Sequence, residues 1–450
     1  MSPEGIPKTL LVLGLARSGV AAAQLALREG WRVFVTDDRD VEAPALPHAA
    51  RRLGRDEAVA KAAQADLVVP SPGVPSTHPV LAAAARAGVA VVPEIEFAAD
   101  RLHATLLAVT GTNGKSTTVS LLGAILEAAG KNTFTGGNLG DPLCNAVGVD
   151  HDFVVAEVSS FQLEHATTFH PHVAAMLNFS PDHLDRHGDV EGYLGAKLRL
   201  FARLTESDFA VVAEGEDWAE RVAASTPARV SVFGWSRGDA RTSREGTFID
   251  AEARVLRGPG GFEVRLAAGV WPELPHDLEN AAAAAEMARL VGAPAAAVEA
   301  AIAAFRPLRH RLAKVGEKDG ISFWNDSKAT NVGAALSSLR AFDGGVLLLA
   351  GGVSKGCDFA ALARESARIT LVVAFGEAAP EIEAALAPTL RVVREDGLRA
   401  ALARAAREAA PGEAVLLAPA CASFDEFRDY AHRGESFEQW VRELVEEVGA

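Results

Sequence analysis

The sequence predicts an α/β protein of three domains, each built on a largely parallel sheet. Three observations predict it. The chain has 450 residues, more than one hydrophobic core usually organises. Short apolar runs alternate with Ala- and Leu-rich segments of helical spacing along most of its length, the rhythm of strands joined by crossover helices. That rhythm restarts near Glu94 and again after Pro307, so the expected domains are residues 1–94, 95–307 and 308–450.

Composition narrows the class. Hydrophobic residues make up 49% of the chain and charged residues 23%, which describes a soluble, globular protein. Lys and Arg number 44 against 59 Asp and Glu, a net charge of −15, and no basic run stands out, so no nucleic-acid partner is expected. The three cysteines, Cys144, Cys357 and Cys421, lie far apart without C-x-x-C spacing, which suits a reducing, cytoplasmic location and excludes a cysteine-cage metal site. The apolar run after Lys8 is broken by Gly14, Arg17, Ser18 and Gly19 and reads as strand, turn and helix. No apolar stretch is long enough for membrane insertion.

In the first domain, the strand from Thr9 is followed by the runs Arg32–Thr36, Asp66–Val69 and Val89–Val92, which predict a Rossmann-like sheet. GLARSG after the first strand is a shortened dinucleotide fingerprint. Asp37-Asp38 ends the next strand, and Ser71-Pro72-Gly73 follows another. Together these turns ring one carboxyl edge and point to a nucleotide-type ligand, although acidic strand ends also occur on solvated rims.

The second domain opens on a buried strand, Thr105–Thr110, that runs into Gly111-Thr112-Asn113-Gly114-Lys115-Ser116-Thr117 and a helix, Lys115–Ala129. This is a phosphate-binding loop on a P-loop ATPase-type sheet. Its backbone amides cradle phosphates, Lys115 neutralises them, and Ser116 is placed to ligate Mg²⁺. Val109 stands where the strict pattern has its first Gly. Strands Phe153–Val158 and Val173–Leu177 follow, the first ending on Glu157 in AEVSSFQLE and the second leading to PDHLDRHG with His183, Asp185 and His187.

Beside the loop, Glu157 could share Mg²⁺ with Ser116 and His183 could hold a second ion; a solvated rim is the alternative for Glu157. The glutamate of a zinc H-E-x-x-H is absent. Lys197, in GAKLRLF on a helix from Val190 to Leu204, reads from spacing alone as a solvated side chain lying over leucines. Arg221–Trp271 is Gly-, Arg- and Ser-rich and is expected to be irregular. Helices Asn280–Leu290 and Pro294–Phe305 follow, with His276 and Asn280 either capping the first or touching nucleotide. Pro307 is the expected linker.

In the third domain the runs Val346–Ala350, Ile369–Ala374, Arg391–Val393 and Ala414–Ala418 predict a second Rossmann-like parallel sheet. His310 and Arg311 are surface charge or a triphosphate contact. WNDSKATN sets Asp326, Lys328 and Thr330 after a short strand, GGVSKGCDF sets Lys355 after a second, and APACASFDEF sets Ser423 and Phe424 after a third. Each alone could be a helix cap. Three polar loops at strand ends in one sheet mark a binding crevice.

The combination resembles the Mur ligase family of peptidoglycan synthesis over essentially the whole chain. G-[TS]-N-G-K-[ST]-T is common to the wider superfamily, folylpolyglutamate synthases included. DSKATN, the Gly-rich Lys355 loop and PACASFDEF resemble the D-glutamate-adding members. The resemblance implies an ATP-dependent ligase, expected as a monomer, that joins D-glutamate to UDP-N-acetylmuramoyl-L-alanine through an acyl phosphate.

It further implies that Leu15, Ala16, Arg17, Asp37, Ser71, Pro72 and Gly73 meet the UDP group, and that Asn138 and Ser159 meet the rest of that substrate. Ser116 and Glu157 would hold one Mg²⁺, and His183 with a carbamylated Lys197 the second. Asn280, Arg311 and Asp326 would meet ATP. Lys328, Thr330, Lys355, Ser423, Phe424 and Tyr430 would receive D-glutamate or its acyl partner. Asp277 departs from the family's H-N-x-x-N, as do Val353-Ser354 from its Gly-rich loop. Sites on three domains must converge, so closure upon ATP binding is expected.

Overall fold

Leu10, Leu11 and Val12 are fully buried, as a strand covered on both faces requires, and from them the first sheet is built. A computed structural model describes residues 7–138, 140–236, 244–268, 271–306 and 309–446. The linker expected at Pro307 lies outside these residues. The chain divides into two compact units, Met1–Phe179 with Leu194–Phe305, and Ser180–Tyr193 with Arg306–Ala450.

The first unit holds two sheets. In the N-terminal one the strands run Arg51–Arg52, Arg32–Thr36, Thr9–Leu13, Leu67–Pro70 and Ala90–Val91, all parallel. Chain order reverses at Thr9–Leu13, so the turns after that strand and after Leu67–Pro70 flank the crevice where open α/β sheets bind ligands. Helix Arg17–Arg28 packs its alanine face, Ala21, Ala22, Ala23 and Ala26, into a core shared with the neighbouring sheet through Ile95, Phe97, Leu143 and Cys144.

The nine-stranded central sheet places Thr105–Thr110 between Phe153–Glu157 and Val173–Met176, parallel to both. Helix Lys115–Ala128 packs against helix Pro275–Leu290, whose Ala281–Ala285 run is fully buried. Alanine lets the two helices approach closely, which brings a polar residue of the second helix to the phosphate loop.

Two expectations need correction here. The stretch Arg221–Trp271 is not irregular: it carries strands Arg229–Trp235, Gly246–Asp250, Val255–Arg257 and Glu263–Arg265, which extend the sheet and end it antiparallel. The last three are 5, 3 and 3 residues long, too short to display a two-residue period among Gly and Arg. The helix from Val190 ends at Leu198 and passes into a 3-10 turn, Arg199–Phe201, instead of continuing to Leu204.

The second unit has six strands in the order Ala313–Lys318, Ile321–Asn325, Ala414–Ala420, Val346–Gly351, Ile369–Phe375, Val392–Glu395. Its parallel part is as expected. The leading hairpin, Ala313–Lys318 with Ile321–Asn325, is antiparallel and makes the sheet mixed. The carboxyl ends of Ile321–Asn325, Val346–Gly351 and Ala414–Ala420 lie side by side, so the three polar loops share one edge.

Candidate active site

The phosphate loop forms where Thr105–Thr110 must turn into a helix without room for side chains. Gly111 has φ +146° and Gly114 φ +82°, and a Cβ on Gly114 would lie 2.2 Å from Asn280 Oδ1. Asn280 also accepts the Thr118 hydroxyl at 3.3 Å. The helix that carries it begins at Pro275 with Leu274 at its cap, so neither His276 nor Asn280 caps it; Asn280 sits a turn inside, buried against the loop. Lys115 Nζ donates to the carbonyls of Gly111 and Thr112 at 2.9 and 2.8 Å. Lys197, only 1% exposed, donates to the same Gly111 carbonyl at 2.8 Å, which replaces the solvated reading of its spacing by a buried place against the loop.

Parallel register sets Glu157 beside Val109, one residue short of the loop's strand end. One carboxylate oxygen accepts Asn138 Nδ2 at 2.7 Å, and the other is buried without any hydrogen-bond partner. A buried, orphaned carboxylate oxygen is costly unless a cation meets it. With the buried Ser116 hydroxyl in the loop's first turn, the donor set is one of hard oxygens, and it fits Mg²⁺. Among the described residues no three His, Cys, Asp or Glu side chains are grouped to hold a metal by themselves. Ser159 caps the short helix Ser160–Leu163 in a reciprocal box with Gln162.

At the N-terminal crevice, Asp37 accepts the Leu15 and Arg39 amides at 2.7 and 2.9 Å. Burial opposes its ionisation, but those two amides and the Arg39 charge outweigh it and hold the carboxyl below the ordinary range. Asp37 therefore orders the Leu15-Ala16-Arg17 turn. Ser71 donates to the Gly14 carbonyl at 3.0 Å and closes the crevice from the other strand, with Pro72 and Gly73 following it. Arg17 reaches the Gly140 carbonyl at 3.1 Å, two residues along the chain from Asn138.

In the second unit, Lys328 lies over the Tyr430 ring with Nζ 3.9 Å from its centre. Lys355 pairs with the buried Asp182 at 2.9 Å, whose other oxygen accepts Asn331 Nδ2 at 2.9 Å. Burial works against the Asp182 charge, yet Lys355 and His183 keep its carboxyl below the usual range. His183 itself has φ +54°, and its neighbour His187 stacks on Tyr193 at 5.2 Å. Asp326 accepts the Ser338 hydroxyl, and the Thr330 amide donates to the Lys328 carbonyl. Ser423 is buried, Phe424 is 72% exposed, and Arg311 is half-buried. His310 is instead buried, pairing with Glu438 at 3.1 Å; burial pushes its imidazole down.

Three residues at these places, one in the first unit and two in the second, escaped the sequence reading. Asn178 brackets the phosphate loop, Asp182 neutralises Lys355, and Arg433 is fully buried beneath the strand-end loops. Arg433 donates to the Ser327 hydroxyl and carbonyl at 3.0 Å each, to the Cys421 and Ala422 carbonyls at 3.1 and 3.3 Å, and to the Gly351 carbonyl at 3.4 Å. It ties all three loops with carbonyl dipoles, and burial pushes the guanidinium down to about 10. Asp182 could have been noticed as the acid beside His183. Nothing in YAHRGESFEQW separates Arg433 from a surface arginine.

Models of three protein domains match the chain: Mur ligase MurD-like, N-terminal domain over residues 8–93; Mur ligase middle domain over 109–288; and Mur ligase, glutamate ligase domain over 310–421. A UDP-N-acetylmuramoylalanine–D-glutamate ligase of Anaeromyxobacter dehalogenans is 44% identical, covering 98% of this chain and 99% of the relative. The protein of the same name from Acidobacterium capsulatum is 40% identical over 96% of each. Among solved structures, a pseudomurein peptide ligase type C from Methanothermus fervidus aligns with a TM-score of 0.63 at 16% identity, over 97% of this chain and all of that one. MurF ligase from Thermotoga maritima, in complex with ADP, aligns with a TM-score of 0.60 at 18% identity, over 99% and 96%; at such identities these two speak for the fold. The chain belongs to the Mur ligase family, in its MurD-like branch.

Proposed function

We propose that this enzyme, an ATP-dependent ligase, joins the amine of D-glutamate to the L-alanyl carboxylate of UDP-N-acetylmuramoyl-L-alanine. One observation carries the reading. A built phosphate loop, with an orphaned carboxylate oxygen beside it, stands in a chain that matches relatives named for this reaction from end to end. We further propose a cytoplasmic location, as the three widely spaced cysteines suggest. No described helix is long and apolar enough to cross a membrane. We also propose domain limits after Glu94 and after residue 307.

A carboxylate is a poor acylating agent, so one of its oxygens must become part of a leaving group. In the proposed sequence that oxygen attacks the γ-phosphorus of ATP, the bond to the β-bridging oxygen breaks, and ADP departs. Lys115 lies against the loop carbonyls, where its ammonium stabilises charge on the transferring phosphoryl group. Ser116 and Glu157 would hold one Mg²⁺, which when bound neutralises phosphate oxygens. Lys197 would act as its carbamate, an oxygen ligand for a second ion, and His183 is a further proposed metal ligand. The D-glutamate nitrogen then attacks the acyl carbon, loses a proton, and expels phosphate, leaving the amide.

Within the second unit, Lys355, Lys328, Thr330, Ser423, Phe424 and Tyr430 are the proposed receivers of D-glutamate. Lys355 would exchange part of its contact with Asp182 for a glutamate carboxylate. Asn280, Arg311 and Asp326 are assigned to ATP, and Leu15 to Arg17, Asp37, Ser71 to Gly73, Asn138 and Ser159 to the UDP substrate. Phosphate release measured with UDP-N-acetylmuramoyl-L-alanine, ATP and each of D-glutamate, L-glutamate, L-lysine and diaminopimelate tests the reading. Release with D-glutamate alone is expected, and release with any of the others in its place would overturn it.

A further inference from the structure

We infer that Asn178 is a positioning residue for the nucleotide phosphates, acting through the backbone of the phosphate loop. The inference rests on the ligase reading only in taking the loop's ligand to be ATP. Asn178 follows the strand Val173–Met176, which runs beside the strand that leads into the loop. Its side-chain carbonyl accepts the Asn113 N–H at 2.8 Å, and its side-chain NH₂ donates to the Asn113 carbonyl at 3.1 Å. Its own backbone carbonyl accepts the Thr112 N–H at 3.2 Å. Gly111 lies so close that a Cβ there would meet Leu177 N and Asn178 N at 3.3 and 3.4 Å.

One side chain therefore reads both backbone groups of Asn113 at once, which a primary amide can do and a carboxylate or hydrocarbon cannot. The geometry divides the loop into two sides. The N–H groups of Thr112 and Asn113 turn toward Asn178, whereas the carbonyls of Gly111 and Thr112 face Lys115 and, for Gly111, Lys197. With both peptide planes held, Gly114 adopts its positive φ, and the amides of the first turn of Lys115–Ala128 are aimed before any phosphate arrives. Donors aimed in advance need no reorganisation when charge develops, so loss of the bracket should weaken nucleotide binding and leave the UDP crevice, which Asn178 does not contact, unchanged.

Asn178→Ala removes both side-chain bonds. Asn178→Asp is isosteric, keeps the acceptor for Asn113 N–H, and sets a negative charge against the Asn113 carbonyl in the phosphate loop. Titrating ADP with Mg²⁺ into the full chain should show affinity lower by ~10-fold in the alanine variant and by more in the aspartate variant, as expected for one or two lost bonds plus repulsion. The KM for ATP should rise in step, while the KM for the UDP substrate and the melting temperature stay at parental values. Parental ADP affinity in both variants would overturn the inference. So would a common rise of every KM with a lowered melting temperature, which is the mark of a purely structural residue. Should the alanine variant not fold, the isosteric aspartate variant decides alone. The ADP titration needs no amino acid, so its outcome is independent of whether D-glutamate is the acceptor.

Discussion

Lys115→Ala is expected to lower kcat by ~10²- to 10³-fold or more, the size of effect seen when one preorganised donor to developing charge is removed. Its Nζ lies 2.9 Å from the Gly111 carbonyl and 2.8 Å from that of Thr112, so the ammonium is held over the loop by carbonyl dipoles. Those carbonyls fix the position of the ammonium within the loop, where its charge can act on phosphate oxygens. Alanine keeps the helix start, since it is the best helix former, and the fold should persist. The measurement is single-turnover phosphate release at saturating ATP, UDP substrate and D-glutamate, with a melting curve as control. A rate within about threefold of the parent would remove Lys115 from the phosphoryl-transfer step, because an interaction made in the transition state changes the rate in proportion to its loss.

Lys197→Ala is expected to abolish measurable activity, and short carboxylates such as formate or acetate are expected to restore part of it. Lys197 is 1% exposed and its amine meets the Gly111 carbonyl, so its end group lies against the phosphate loop. As a carbamate it would present oxygen where a hard cation needs it. Alanine leaves space for a small carboxylate to supply the same oxygens, whereas loss of a merely structural ammonium could not be repaired by an anion. Full activity in the plain variant, or inactivity that no carboxylate relieves, would contradict the carbamate.

Much of this architecture can be read from residues near one another in the chain. The phosphate loop is legible because its backbone demands glycine at Gly111 and Gly114 and because a buried strand runs straight into it. The three loops of the second unit are legible for the same reason: each follows an apolar run that pairs in one sheet. Lys197 is not, since its spacing describes a surface lysine and its partner, Gly111, lies 86 residues away. Asn178 meets Asn113 across 65 residues, and Asp182 meets Lys355 across 173. Arg433 reaches Gly351 and Ser327 across 82 and 106. In each case the decisive partner is supplied by tertiary packing, which local periodicity does not encode. The short edge strands beyond Arg229–Trp235 were illegible for a different reason, their length.

The chemistry itself is tested most directly by following one oxygen. UDP-N-acetylmuramoyl-L-alanine labelled with oxygen-18 in its alanyl carboxylate is turned over with ATP and D-glutamate, and the released phosphate is analysed by mass spectrometry. An acyl phosphate requires that one labelled carboxylate oxygen leave with phosphorus, so phosphate carrying a single heavy oxygen, formed in step with the amide, is the predicted result. Amide formation accompanied by unlabelled phosphate would contradict the account.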